Sequence, residues 1–201
     1  MSFTAQNVCD MASRELVDLS DTAYLSDMVE YINEGIRRLA TNTHCCQELL
    51  DYDLTGYRLT FSTIKGEFST VESVLTIASV YFAPSNQYLL LHKDDTVSGA
   101  DFAASTQTTP SRWKQFGSSI IFDATMTAMS LRVLFSYIPK MLTVRTETIP
   151  MPDECINALA KYVVYCARLS DRDAGLANGA FADFEIMREA LAKKYALEMV
   201  A

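Results

Sequence analysis

Apolar residues recur at helical intervals from the start of the chain. Val8, Ala12, Leu16 and Leu19 step by four, four and three, which predicts a helix over residues 4–19. After Ser20-Asp21-Thr22, all residue types that cap helices, the pattern resumes as Leu25, Met28, Ile32, Ile36 and Leu39. The opposite face of this second helix carries Asp27, Glu30 and Glu34 early and Arg37 and Arg38 late, the order the helix dipole favours.

From about residue 55 the period changes to two. Tyr57, Leu59 and Phe61 alternate with Arg58, Thr60 and Ser62, as in a half-buried strand. Val71 to Phe82, rich in β-branched and aromatic residues, ends at the turn signal Ala83-Pro84-Ser85-Asn86, and Tyr88 to His92 reads as its hairpin partner. Lys93 to Gly117 is a polar excursion with a short helix expected around Val97 to Ala104. Strand character returns at Ser118 to Asp123 and at Leu131, Val133, Phe135 and Tyr137, stopping at Pro139. The short connections suggest an antiparallel meander. Ile149-Pro150-Met151-Pro152-Asp153-Glu154 prepares a helix with the face Ile156, Leu159, Val163 and Ala167. A break at 171–175 and at Asn178-Gly179 precedes a last stripe, Ala180, Phe184, Met187, Leu191 and Tyr195, so that the two halves fold back as a hairpin. The expected fold is α+β in one domain: an N-terminal helix pair (1–50) and C-terminal helices (149–201) forming a helical bundle, with a central antiparallel β region (51–148).

Composition narrows the function. With 49% hydrophobic and 21% charged residues the chain can bury a core. Its net charge is −8, and residues 1–50 hold three Lys/Arg against eight Asp/Glu. Such an acidic chain is a poor tight binder of phosphate backbones, whose affinity comes from cations that displace counterions. Five cysteines at unrelated spacings form no disulfide framework, which points to a reducing compartment and synthesis in the cytoplasm. No apolar stretch reaches the ~20 residues that span a bilayer.

Little in the sequence suggests catalysis. His44-Cys45-Cys46 lacks the spacer that lets two cysteines face one ion, so no metal site is expected. Cys155 and Cys166 lie about three turns apart on one helix face, too far to bond. The pairs Asp51/Asp53, Asp94/Asp95 and Asp171/Asp173 lack the further ligands that acid/base or Ca²⁺ chemistry needs. No phosphate loop, nucleophile elbow or dinucleotide fingerprint is present, and no cofactor is expected. Bases and aromatics interleave at Ser111-Arg112-Trp113-Lys114-Gln115-Phe116, where packing or a protein interface is favoured over nucleic-acid stacking. The candidate interaction residues are Arg112, Trp113, Lys114, Phe116, Tyr88 and Tyr195.

The order of these features resembles the head-to-tail adaptor proteins of tailed phages over nearly the whole chain. Asp27 to Arg38 is similar to that family's "hydrophobic, Asn-Glu, hydrophobic, Arg" helix, and Thr55-Gly56-Tyr57-Arg58-Leu59 to its entry into the sheet. Pro110-Ser-Arg-Trp113, Gly117, Ile120 to Asp123, and Leu131 to Pro139 then follow in order. Ile149 to Glu154 before an Ala/Tyr-rich helix is the most specific part. Thr60-Phe61 and Ala124-Thr125 stand where the family often has prolines.

The resemblance implies a non-enzymatic structural protein of the virion neck. It would form a homo-oligomeric, dodecameric ring that joins the portal to tail or nozzle proteins and lines the DNA channel, with no membrane contact and no sequence-specific DNA binding. The strands Val71–Lys93 and Ser118–Pro139, or the excursion between them, are expected to contact ring neighbours or the tail, and the segment after Leu191 to reach the portal. The related tail tubular or tail-completion neck proteins are one alternative; a small helical interaction module with a regulatory role is another.

Overall fold

A computed structural model describes residues 3–17, 24–83, 87–94 and 107–198. The chain divides into two compact units, Met1–Cys46 with Ile138–Ala201, and Gln47–Tyr137.

In the first unit, α1 (Ala5–Glu15) starts at a reciprocal cap: the Asn7 amide donates to the Thr4 hydroxyl at 3.4 Å, and the Thr4 amide donates to the Asn7 side chain at 2.8 Å. Helix α2 (Tyr24–Thr43) buries Met28, Ile32, Ile36 and Leu39, the stripe its spacing predicts. A single 3-10 turn, Asp153–Cys155, leads into α4 (Ile156–Ser170), and α5 (Ala174–Glu198) returns along it; α3 (Phe61–Gly66) lies in the second unit. Gly35 allows close approach of α2 to α4, since a Cβ there would sit 2.6 Å from Leu159 Cδ1 and 3.0 Å from Tyr162 Cδ1.

The expectation of a helical bundle is not met. In a bundle each helix buries one stripe. Here α4 is buried around its circumference (Ile156, Ala158, Leu159, Ala160, Tyr162, Val163, Val164, Ala167) and α1, α2 and α5 gather on it, while α1 and α5 make no substantial contact. Extended backbone completes the unit: Thr4 bridges Thr148, the Ala5 amide donates to the Glu147 carbonyl at 2.9 Å, and the Ile149 amide donates to the Phe3 carbonyl at 2.8 Å. Asn178-Gly179 does not break α5. Its start is held instead by Asp173, whose carboxylate accepts the Leu176 amide at 3.2 Å.

The second unit is a six-stranded, nearly closed, barrel-like sheet. Its strands are β1 (Gln47–Thr60), β2 (Val71–Ala83), β3 (Leu89–Leu90), β4 (His92–Lys93), β5 (Arg112–Phe116) and β6 (Ser119–Pro139), with the short helix α3 (Phe61–Gly66) after β1. The order is β3-β2-β6-β5-β4, with β1 also on β6. β3 pairs antiparallel with β2, as expected of Tyr88 to His92, and one residue later β4 pairs with β5. The segment from Leu89 to Lys93 therefore spans the two ends of the strand order and nearly closes the sheet. Inside lie Leu50, Leu54, Leu59, Ile64, Val80, Phe122, Leu131, Val133 and Phe135.

The antiparallel expectation also fails, because β4 and β5 run parallel and the sheet is mixed. The two strands expected over 118–137 are one continuous β6, turned at Ala128, whose φ is +51°. β1 begins at Gln47 rather than near residue 55, and Phe61 opens α3, whose first turn is capped by the Thr60 hydroxyl. The expected caps at 20–22, the turn at 84–86 and the helix at 97–104 lie outside the described residues.

Candidate functional site

Alternation along β5 separates the residues that the sequence groups together. Trp113, 1% exposed, points into the sheet opposite Phe122, whereas Phe116, 58% exposed, stands at the Gly117 turn. Lys114 is half-buried between them. The run is therefore no flat platform of bases and rings. Arg112 reaches back over the sheet and pairs with Asp94 at 2.8 Å and Asp123 at 3.4 Å.

Asp123 is a buried polar anchor of this unit. Only 3% exposed, its carboxylate accepts the Ser111 amide (2.9 Å), the Ser111 hydroxyl (2.6 Å) and the Arg112 amide (3.0 Å). Burial works to raise its pKa, but these donors and the Arg112 guanidinium outweigh it, so the acid stays ionised below its ordinary value. The carboxylate thus ties the start of β5 to β6, and nothing in the alternation of residues 118–123 signals it.

Tyr88 takes part in a different arrangement. Arg132 and Asp51 are direct cross-strand partners on β6 and β1, joined by two bonds of 2.7 and 2.8 Å. The Arg132 guanidinium lies 3.9 Å from the Tyr88 ring centre, and the Tyr88 hydroxyl donates to Asp51 at 3.4 Å. The Arg132 bond, with help from Tyr88, holds the Asp51 carboxyl below its usual range. The neighbouring Leu89 and Leu90 are exposed, Leu90 at 65%, as is Leu49 on β1. Tyr88 and Arg132 are thus both tied to Asp51 beside exposed leucines.

Tyr195 is 6% exposed and donates to Glu154 at 2.7 Å, beside the Lys194–Glu154 ion pair. Lys194 and then Tyr195 depress the Glu154 pKa to about 2. A carboxyl with a depressed folded pKa contributes stability above its unfolded value of about 4.3 and loses it as pH falls towards 2. Glu154→Gln is therefore expected to melt below the native chain at pH 7, with the gap closing between about pH 5 and pH 2. A gap that stays constant in thermal melts across that range would show that the charge contributes nothing.

The Asn-Glu step of α2 has a structural use the sequence alone did not reveal. Asn33 clamps both backbone groups of Leu142, donating to its carbonyl at 2.9 Å and accepting its amide at 2.8 Å. Glu34 accepts the Tyr162 hydroxyl at 2.6 Å, and Arg38 lies 5.3 Å from that ring's centre. Asn33, Glu34 and Arg38, with Glu30, Arg37 and Met141, line a mixed-charge hollow. Among the described residues no three His, Cys, Asp or Glu are placed to hold a metal ion, and no helix is long and apolar enough to cross a membrane.

The profile of a family described as SU10 adaptor protein matches residues 3–199. No curated protein matches the chain.

Proposed function

The chain belongs to the SU10 adaptor protein family, a phage head-to-tail adaptor family, and on that premise we propose that it works as a closed ring joining the portal to the tail. The observation that carries this reading is the match over residues 3–199, which takes in nearly all of the first unit and the whole of the second. Copies in a cyclic ring meet through two different faces, so each subunit needs at least two complementary surfaces. The Tyr88/Arg132 patch with Leu89 and Leu90 supplies one, and the exposed Phe116 turn is the candidate for a second contact, with a neighbour or with the tail. The portal contact is assigned to the end of α5. A net charge of −8 per copy, repeated around a channel, repels the DNA backbone and lets it pass without sticking.

Leu90→Asp tests the patch. The side chain is exposed, so its melting temperature should match the native chain's, while incorporation into rings on the portal, read by co-sedimentation, should fall at least about tenfold, roughly 1.4 kcal/mol. Undiminished incorporation would remove β3 from the interface.

A further inference from the structure

The outer side of α5 carries an apolar stripe that its own chain leaves uncovered. Leu176, Gly179, Ala182, Ile186 and Ala190 follow one another at steps of three and four and are all exposed, Ile186 at 69%. Gly179 weakens the interior of a helix relative to Ala. A Cβ there would meet nothing within 4 Å, so no packing within the chain calls for the glycine. Glu189 and Lys193, both exposed, flank the far end of the stripe.

The hollow on α2 offers a matching surface in the same unit. Small-molecule pockets are mostly apolar with a few polar groups, whereas here Met141 is the one apolar residue among six that line it. Glu34 and Arg38 are engaged with Tyr162, which leaves Glu30 and Arg37 as the charges that face outward. Among the described residues neither makes a hydrogen bond or ion pair, and the same holds for Glu189 and Lys193, since the neighbouring Arg188 spends its guanidinium on Glu185. The order of charge is complementary. On α2 the acid precedes the base, Glu30 before Arg37, and on α5 likewise, Glu189 before Lys193. Two such helices laid antiparallel set each acid against a base.

We propose that the α2 hollow of one copy receives the Ile186–Lys193 stretch of α5 from the next copy, antiparallel, with Arg37 paired to Glu189, Glu30 to Lys193 and the apolar stripe facing Met141. The inference rests on the ring reading, in which one face of each copy meets a different face of its neighbour. It places a helix-on-helix contact beside those of the β-rich unit and leaves the last turn of α5 for the portal.

Charge reversal in the full-length chain tests this, with incorporation into rings on the portal read by co-sedimentation and electron microscopy. Arg37→Glu and Glu189→Arg should each lower incorporation at least about tenfold, because like charges then face each other across every interface. Both changes in one chain should bring it back to within about threefold of the native level, since the pair is then re-formed with its signs exchanged. All three variants should melt with the native chain, as both side chains are exposed. Single variants that assemble like the native chain, or a double variant that assembles no better than the singles, overturn the pairing and leave the ring reading standing. A native chain that leaves the portal bare overturns both.

Discussion

Trp113→Ala is expected to destabilise the isolated chain by about 4 kcal/mol, the middle of the range for removing a buried tryptophan. The ring is enclosed by the sheet core and faces Phe122, and the Lys93 ammonium lies 5.8 Å from the ring centre, so its loss leaves a cavity that a nearly closed sheet can fill only in part. Trp113→Phe keeps most of the apolar surface and is expected to cost less than half as much. Urea titrations followed by far-ultraviolet circular dichroism measure both. This result separates two roles that the sequence left open. A tryptophan held for an interface would leave the stability of the lone chain intact and weaken only assembly.

Asp123→Ala is the second large effect, at about 3 kcal/mol. The cost arises less from lost attraction than from what is stranded: the Ser111 and Arg112 amides and the Ser111 hydroxyl lose a buried acceptor together. Asp123→Asn keeps one acceptor oxygen and gives up the charge, so about half that loss is expected. Amide exchange at Ser111 and Arg112 distinguishes this local anchor from a general weakening. Protection should fall at those two amides more than in the core of β6. Equal losses everywhere would mean that Asp123 acts only through global stability.

Both residues mark where sequence reasoning stopped. Periodicity revealed α2 in full, because Met28, Ile32, Ile36 and Leu39 lie on one straight helix with no long-range correction needed. Part of the expected hairpin of Val71–Phe82 with Tyr88–His92 likewise appears, as the pairing of β2 with β3, while His92 pairs with β5. β1 was harder to read. Leu54 and Leu59 are five residues apart, and in a regular strand an odd interval sends two side chains to opposite faces. Register shifts on either side of Gly56, whose φ is +101°, bring both leucines inside. Regular alternation alone starts the strand only around Tyr57, although β1 begins at Gln47.

The same physics explains the misread of β6, where Ala128, at φ +51°, sits within one continuous strand. The parallel pairing of β4 with β5 was invisible for another reason: it brings His92 beside Arg112, on a strand inside the segment read as an excursion, and nothing local encodes such a return. The helical bundle failed because α4 looked like a one-sided stripe, although Ala158, Ala160, Tyr162 and Val164 are also buried. Small and mixed residues on its far side hid that it is the centre of the unit.

The motifs that carried the family resemblance prove to be anchors of the fold. Asn33 grips Leu142, Gly56 makes the bulge, Ser111 and Arg112 bind Asp123, and Glu154 holds Lys194 and Tyr195. They were recognisable because their order is what builds the two units. The proposed contact residues were less legible, since the side chains of Leu90 and Phe116 are exposed and no buried packing constrains their identity. Of the six nominated residues, Trp113 and Tyr195 lie inside their own units, while Phe116 and Tyr88 stand at the surface.

The adaptor role is tested most directly by electron microscopy of the purified full-length chain, alone and mixed with its portal. Closed rings seated on one end of the portal, with or without rings of the chain by itself, are the expected result. A chain that stays monomeric or dimeric in both samples, leaving the portal bare, would contradict it.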